Sequence, residues 1–223
     1  MLSIIIPAFD EAARIGRTLD ALIAHFPSAE IIVADDGSQD ETADIARARG
    51  ARVARLPENR GKGAAVRAGV LAATGDPLAF CDADGATSPN ELSKVLAALA
   101  RAELAIGSRA LDEDLILTRQ TKLRENMGKT FNVIARALLP LGSIKDTQCG
   151  LKAFRAGAAR AIFSRQRLDG FAFDVEVILL ARELGYTIAE VPVEWHHVER
   201  SKVSLVGSSL GMLAELVRLR LRR

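Results

Sequence analysis

Leu78-Ala79-Phe80-Cys81-Asp82-Ala83-Asp84-Gly85 is an apolar run that ends in two acidic residues and a glycine. The pattern predicts a buried strand that delivers both carboxylates to a turn at its carboxyl end, before a helix that opens at Ser88-Pro89. In an open parallel α/β sheet, ligands bind outside the carboxyl ends of the strands. Two oxygen ligands there suit a divalent cation such as Mg or Mn that is shared with substrate phosphates. Taken alone, Asp82 and Asp84 also fit a plain strand end with a turn cap, so the rest of the chain has to discriminate.

Short apolar runs alternate with helical patterns from the first residues to Arg109. Strands are predicted at 2–6, 30–34, 52–56, 78–81 and 104–107, and helices at 11–26, 40–49, 61–75 and 89–101. Such alternation predicts an α/β fold with a mostly parallel central sheet and helices on both faces.

The pattern changes after Arg109. A long helix is predicted at 122–139, with one apolar face formed by Leu123, Met127, Phe131, Ile134 and Leu138. A loop that enters a strand follows at 146–155, then helices at 156–163 and 173–184 and an alternating strand at 187–195. The last helix, at 208–222, is predicted to be amphipathic, with Leu210, Leu213, Val217 and Leu221 on one side and arginines at its end.

Length and composition bound the class of protein. A chain of 223 residues fits one domain with a sizeable core, and 49% apolar and 26% charged residues are typical of a globular protein. The formal charge of +2 does not argue for a nucleic-acid partner. Cys81 and Cys149 lack a metal-binding spacing, so we expect free thiols in a reducing compartment. Because we see no leader and no apolar run of about 18 residues, we expect a cytoplasmic location or attachment to a membrane face.

The two common nucleotide loops are missing from the expected positions. A dehydrogenase places Gly-x-Gly-x-x-Gly after its first strand, whereas residues 7–11 read Pro-Ala-Phe-Asp-Glu. No Gly-x-x-x-x-Gly-Lys-Ser/Thr loop occurs either. Acidic residues end three of the predicted strands instead: Asp10, Glu11, Asp35, Asp36, Asp82 and Asp84. This arrangement suits a nucleotide whose diphosphate is screened by a cation.

Three blocks of the sequence resemble family 2 glycosyltransferases of the GT-A fold. The stretch 4–11 is similar to their Pro-Ala-Tyr-Asn-Glu opening, 33–42 to their Val-Asp-Asp-Gly-Ser-x-Asp-x-Thr block, and 82–84 to their Asp-x-Asp. Further blocks resemble the polyprenyl-phosphate sugar transferases, with the dolichyl-phosphate glucosyltransferase branch most similar: 59–69, 107–109, 146–154, 173–176, 190–195 and 201–202. The resemblance implies a single GT-A (Rossmann-like) domain, with a nucleotide-sugar half at 1–109 and an acceptor half at 110–223.

The resemblance also implies a reaction. An inverting transferase would move glucose or mannose from UDP-glucose or GDP-mannose to a polyprenyl (dolichyl or undecaprenyl) phosphate, with Mg or Mn as cofactor. A phosphate monoester is already largely anionic at neutral pH, so direct attack on the anomeric carbon requires no dedicated base. The lipid acceptor implies peripheral contact with the cytoplasmic membrane face, for which the helix around Phe131 and the last helix are candidates. Ordinary core packing is the alternative for both helices.

On the donor side, the resemblance implies roles for residues of the first half. Asp36 would accept a hydrogen bond from the nucleobase, and Asp84, with Asp82 as its partner, would hold the metal. Lys62 opens a predicted helix, where its charge opposes the dipole, so an anion is expected there. The remaining nucleotide-sugar residues are Pro7, Phe9, Glu11, Ala83 and Lys202. Related mannosyltransferases have a glutamine two residues after the second Asp; Ala86 stands there, which leaves the third protein ligand open.

The predicted acceptor side is basic. Arg109, Arg124 and Arg200 match positions that hold the lipid phosphate or the sugar diphosphate, and the arginine fork suits phosphate oxygens. Asp174 and Glu176 either lie near the sugar, as catalytic residues beside Asp82, Asp84 and Arg109, or cap a helix. His196-His197 has no third ligand at a suitable spacing, so an exposed strand end is expected there rather than zinc.

Three alternatives remain at the level of sequence. A family 2 transferase acting on a hydroxyl of a cell-surface glycan or glycolipid would need Asp174 or Glu176 as a base. A catalytically silent sugar-nucleotide-binding subunit would have no use for an intact acidic metal site. A sugar-phosphate nucleotidyltransferase would show an early glycine-rich basic loop, which this chain lacks.

Overall fold

A computed structural model describes residues 1–118, 122–196 and 207–221. Its strands are β1 (Ser3–Ala8), β2 (Glu30–Asp35), β3 (Arg52–Arg55), β4 (Leu78–Cys81), β5 (Leu104–Ser108), β6 (Ile116–Thr118), β7 (Leu151–Phe154), β8 (Ile188–Pro192) and β9 (Trp195–His196). Its helices are α1 (Ala12–His25), α2 (Thr42–Ala48), α3 (Lys62–Ala72), α4 (Pro89–Ala97), α5 (Lys122–Leu138), α6 (Ala156–Phe163), α7 (Phe173–Glu183) and α8 (Gly207–Leu221).

Seven of these strands form one sheet in the order β3-β2-β1-β4-β7-β5-β8. All neighbouring pairs are parallel except those made by β7, which runs antiparallel to both β4 and β5. The predicted mostly parallel sheet is therefore confirmed. The insertion of β7 between β4 and β5 was not predicted, because the local pattern of a strand does not specify its neighbours. Strands β6 and β9 form a separate parallel pair.

The sheet is covered on both faces, as the alternation of β1 illustrates. Ile4 and Ile6 face a core shared with α1, α2 and α4, whereas Ile5 faces a core shared with α3, α5, α6, α7 and α8. This separation follows from the period of two along a strand. All three isoleucines are fully buried. The loops at the carboxyl ends of β1, β2 and β4 lie on one edge of this sandwich, because these strands are parallel.

The apolar side of α8 differs from the prediction. Met212, Leu216 and Leu219 are the buried residues, whereas Val217 is 46% exposed and Leu221 is 79% exposed. Leu213 packs partly against the core. Leucine, methionine and valine occur on more than one side of this helix, so its sequence does not determine which side is buried; packing against α5 and the core does. The side chain of Leu210 lies outside the described residues.

The thiol prediction is confirmed for both cysteines, which are free and buried. Burial raises the pKa of Cys149 to about 11, with a further contribution from the charge of Asp146. In the described parts of the chain, no helix is both long enough and apolar enough to cross a bilayer.

Candidate active site

A cleft of about 390 Å³ opens at the carboxyl ends of β1, β2 and β4. Seven of the residues predicted to bind a nucleotide sugar line it: Pro7, Phe9, Glu11, Asp36, Lys62, Asp82 and Ala83. The structure therefore brings together four segments that lie far apart in the sequence: those at the ends of β1, β2 and β4 and the start of α3. Lys202 lies outside the described residues. Phe171 also lines the cleft, although it comes from the second half of the chain.

Asp36 lies at the end of β2 and is only 3% exposed. Its two carboxylate oxygens accept hydrogen bonds from the backbone N–H groups of Arg60, at 2.9 Å, and Gly61, at 2.8 Å. Burial raises the pKa of Asp36, although the two backbone bonds oppose this effect. Asp36 therefore holds the loop before α3, and each oxygen keeps a lone pair for a further donor.

Glu11 and Arg14 form a tight pair at the mouth of the same cleft. The guanidinium of Arg14 donates from Nε and from its terminal nitrogen to the two Glu11 oxygens, at 2.7 Å each. Arg14, which the sequence did not single out, also lines the cleft. Glu11 thus lines the cleft with its carboxylate held in a bidentate ion pair. Its contact with a nucleotide sugar stays a prediction.

The anion expected beside Lys62 is a side chain of the protein. Lys62 Nζ lies 2.6 Å from Asp82 Oδ1, so the lysine of α3 and the carboxylate after β4 form an ion pair across the cleft. The first amide groups of α3 are also occupied, because Gly63 and Ala64 donate to the carbonyl oxygen of Asp169, at 2.8 and 3.2 Å. The start of α3 therefore presents the lysine side chain to the cleft, while two of its first amide groups are bonded within the protein.

Asp82 and Asp84 place two carboxylates close together at the end of β4. Burial raises the pKa of Asp84, and the negative charge of Asp82 raises it further. One oxygen of Asp84 accepts a bond from the backbone of Ala86 at 2.9 Å. A divalent cation would offset this repulsion, and Mg²⁺ is commonly held by one or two carboxylates completed by water and substrate phosphates. Among the described residues, no cluster of three acidic, histidine or cysteine side chains could hold a metal ion by itself.

Antiparallel pairing brings the loop before β7 to the same edge. Cys81, the last residue of β4, pairs with Leu151, the first residue of β7. Asp82, the residue after β4, therefore lies opposite Gly150, the residue before β7. A Cβ built on Gly150 would overlap the Asp82 carboxylate. Glycine therefore allows this close approach, because any Cβ here would force the Asp82 carboxylate to move. Gly150 brings the end of the loop at 146–150 against Asp82.

Arg109, after β5, is held by two neighbours. It donates from Nε and from a terminal nitrogen to both oxygens of Asp146, at 2.7 and 2.9 Å, and its backbone N–H donates to the same carboxylate at 3.1 Å. Its guanidinium carbon lies 5.7 Å from the centre of the Trp195 ring, in a cation–π arrangement. Arg109 is 28% exposed and Asp146 only 3% exposed on their side chains, so the pair sits at the protein surface with its carboxylate inside.

Asp174 and Glu176 both have partners within the protein. Asp174 Oδ1 lies 2.5 Å from the Nζ of Lys152, and both side chains are buried. Glu176 Oε2 accepts bonds from the backbone N–H groups of Arg167, at 3.0 Å, and Leu168, at 2.7 Å. These acids support the loops around the site; the prediction that they lie near the sugar stays a prediction.

Two other predicted acceptor residues cannot be placed. The side chain of Arg124, on α5, and the whole of Arg200 lie outside the described residues, as does His197. His196 lies in β9 and is exposed, in agreement with the expected strand end. The block at 146–154, which resembles the polyprenyl-phosphate sugar transferases, contains Asp146, Gly150 and Lys152. The resemblance does not predict which residues these three contact. A lysine within an otherwise apolar run, Leu151–Phe154, was the available signal.

Comparisons with known proteins show the family to which this chain belongs. The model of the family "Glycosyl transferase family 2" matches residues 3–163. A dolichyl-phosphate beta-glucosyltransferase of Drosophila melanogaster is 39% identical over 96% of this chain and 73% of its own length. The enzyme of that name from Dictyostelium discoideum is 36% identical over 99% of this chain and 74% of its own length.

Solved structures support the fold. Glucosyl-3-phosphoglycerate synthase from Mycobacterium tuberculosis, in complex with Mn²⁺, UDP-glucose and phosphoglyceric acid, has a TM-score of 0.76 to this chain. The two are 22% identical, and the match covers 99% of this chain and 79% of the synthase chain. The fold and the position of the cleft are consistent with the match of the family model to residues 3–163 and with the identity to the two relatives above. These matches place this protein in glycosyl transferase family 2.

Proposed function

We propose that this protein transfers glucose, with inversion, from UDP-glucose to a polyprenyl phosphate of the dolichyl or undecaprenyl type. The observation that carries the proposal is the similarity of nearly the whole chain to several dolichyl-phosphate beta-glucosyltransferases, at 31–39% identity. These relatives favour glucose over mannose among the sugars that the sequence left open. The acidic donor cleft and the arginine beside it supply the groups that such a reaction needs.

The donor would occupy the cleft beside Asp36 and the Asp82–Asp84 pair. Asp36 offers acceptor lone pairs to the nucleobase, and Phe9 and Pro7 offer apolar surface to its ring. Asp82 and Asp84 would hold Mg²⁺ or Mn²⁺, which would stabilise the negative charge of the departing nucleoside diphosphate. Lys62 contributes a further positive charge at this point.

Arg109 is the proposed contact for the acceptor phosphate. Its guanidinium is partly exposed, while Asp146 and Trp195 hold its orientation. Arg124, Arg200 and Lys202 are proposed to add positive charge from the same side. The acceptor phosphate is anionic without help, so the chemistry needs orientation of a nucleophile rather than removal of a proton.

A lipid acceptor also requires contact with a membrane face, which we propose to be cytoplasmic. Leu221 and Val217 of α8 are exposed, and Arg218 and Arg220 lie beside them in the sequence. Exposed apolar and basic side chains on one helix favour the interface of an anionic bilayer.

The test is transfer of labelled sugar into organic-extractable lipid by purified protein, polyprenyl phosphate and Mg²⁺ or Mn²⁺, with UDP-glucose and GDP-mannose in parallel. We expect glucosyl lipid from UDP-glucose and at least a 100-fold loss in Asp84→Asn, on the order of the loss for a group that stabilises the leaving charge. Asp44→Asn, an exposed acid on α2, is the matched control. Mannosyl lipid would correct the sugar. Release of UDP without lipid product would mean transfer of glucose to water and would point to an acceptor other than polyprenyl phosphate. No turnover with either donor would refute the proposal.

A further inference from the structure

Lys152 is a fully buried lysine in the middle of the sheet. It lies in β7, with an exposure of 0%. Its Nζ donates to Asp174 Oδ1 at 2.5 Å, to the carbonyl of Cys149 at 2.8 Å and to the carbonyl of Thr147 at 3.3 Å. It also lies 5.4 Å from the centre of the Phe80 ring. The three donor positions of the ammonium group are thus all used within the protein.

Such a residue is costly for stability alone. A buried ion pair gives up the hydration of both charges, and a well-packed apolar pair of similar volume often replaces it without loss. The neighbours of Lys152 in β7 are apolar, and the surrounding core is built from Phe80, Phe154 and Phe173. The position is therefore one where an apolar side chain would serve the fold, and the lysine calls for another explanation.

The carbonyl groups that Lys152 holds belong to the loop at 146–150. This loop touches the candidate active site twice. Gly150 packs against the carboxylate of Asp82, and Asp146 binds the guanidinium of Arg109. A shift of the loop would therefore move the proposed metal ligand on one side and the proposed acceptor contact on the other.

We propose that Lys152 and Asp174 are positioning residues: Asp174 fixes the ammonium of Lys152, and Lys152 fixes the loop at 146–150, which sets Asp82 relative to Arg109. This proposal rests on the proposed function, because the proposed function assigns roles in sugar transfer to Asp82 and Arg109, whose separation the loop would set. It gives Asp174 an indirect role and removes the need for it to contact the sugar. Small displacements of reacting groups are costly, since about 1 Å can reduce a rate by about 100-fold.

A double-mutant cycle on transfer activity tests the indirect role. Lys152→Met and Asp174→Asn are each expected to reduce kcat about 10- to 100-fold. If Asp174 acts only through Lys152, then adding Asp174→Asn to Lys152→Met changes kcat by less than about 2-fold. If Asp174 contacts the substrate itself, its loss costs the same factor in both backgrounds, and that result would overturn the proposal.

Loss of folding is separated from loss of positioning by a further variant. Replacing both partners, in Lys152→Met with Asp174→Leu, leaves no unpaired buried charge, so we expect a cooperative unfolding transition and UDP binding within about 3-fold of the wild type. Activity should nevertheless stay reduced at least 10-fold, with the acceptor KM raised more than the donor KM. Wild-type activity in this folded variant would refute the proposal.

Hydrogen exchange supplies a measurement that does not depend on the reaction. The amide of Gln148 donates to Asp146 Oδ1, and the amide of Asp146 donates to Glu190. We expect faster exchange of these amides in the double variant and unchanged exchange in β1. If the wild type transfers no sugar, the proposed function fails while the exchange result still decides whether Lys152 holds the loop; unchanged exchange there would refute the positioning role.

Discussion

Gly150 illustrates how one small residue can determine the position of a side chain in the candidate active site. Its Cα faces the Asp82 carboxylate so closely that no Cβ fits unless the carboxylate moves. Asp82 is 36% exposed on its side chain, so it can move without a rearrangement of the core. The constraint therefore acts on the site and only weakly on the fold.

Gly150→Ala is expected to lower transfer activity at least 10-fold while the protein stays folded, because the new methyl group displaces Asp82 from Lys62. The measurement is kcat for transfer together with the thermal midpoint of unfolding. Gly157→Ala in α6 is the matched control, since a Cβ there meets nothing within 4 Å and a helical alanine is favoured by about 0.5–1 kcal/mol. Equal activity of the two variants would contradict the assignment.

The ion pair of Arg109 and Asp146 predicts a pH dependence of stability. Burial alone would raise the pKa of Asp146, but the charge and hydrogen bonds of Arg109 outweigh it, and the pKa lies below its ordinary value of 3.8. The carboxylate is therefore stabilising above about pH 4, where the unfolded chain has also lost its proton. This contribution is lost as the pH falls through the lower, folded pKa.

Asp146→Asn should lower the free energy of unfolding at pH 7 by about 2–3 kcal/mol, below the usual 3–5 kcal/mol for a broken buried pair because Arg109 is partly exposed. The difference from the wild type should narrow below about pH 4. Urea denaturation at about pH 7 and at about pH 3 measures both values. Asp44→Asn, whose partner Arg47 is exposed, should change neither by more than about 0.5 kcal/mol. A difference that is the same at both pH values would contradict this account.

At the scale of elements, the alternating strands and helices of the first half were predictable because each carries its own periodicity. That Asp36, Lys62 and Asp82 lie in one cleft was also predictable, because parallel strands bring their carboxyl ends to one edge of the sheet. The position of β7 was not, because strand pairing depends on contacts far apart in sequence. The partners of Asp174 and Glu176 depend on β7 and on the loop before α7, so their role could not be derived from the helix pattern alone.

The segment before α7 forms a cap on the start of α3. The carbonyl of Asp169 accepts from two amides of α3, and its carboxylate binds Arg60 at 2.7 Å and Arg67 at 3.0 Å. Phe171, two residues later, lines the cleft at the carboxyl ends of β1, β2 and β4. Asp169 thus ties the segment before α7 to the first turn of α3, which carries Lys62.

Asp169→Asn should weaken UDP binding about 3- to 10-fold, because two partly exposed ion pairs contribute about 0.2–1 kcal/mol each to the position of this segment. The main-chain cap on α3 remains, so the thermal midpoint should fall by only a few degrees. Isothermal titration with UDP and Mn²⁺ measures the affinity. Asp20→Asn, which removes an exposed partner of Arg49 between α1 and α2, should leave it unchanged. Equal affinities in both variants would show that the cap is only structural.

At the scale of the whole molecule, the first half of the sequence and the last helix form surfaces of different character. The first half contributes most of the residues that line the cleft, including its charged side chains. In contrast, α8, near the other end of the sequence, is anchored to the core by Leu216 and leaves Val217 and Leu221 exposed. Arg218 and Arg220 lie in the last turn of the same helix. A formal charge of only +2 is therefore distributed unevenly, and its local excess coincides with exposed apolar side chains.

Replacing Val217 and Leu221 with serine should reduce association with vesicles that contain anionic lipid by at least about 100-fold, since each of the two apolar side chains contributes about 1.5 kcal/mol or more to partition. Sedimentation with vesicles at low and high salt measures this, and salt should weaken the binding of the wild type. Leu71→Ser on α3, which is 53% exposed, is the control for a loss of apolar surface alone. UDP-glucose hydrolysis in the absence of lipid should stay the same in all three proteins, because none of the side chains that the structure describes in α8 lines the cleft. If the double variant binds vesicles as the wild type does, the lipid acceptor must be reached through another face of the molecule.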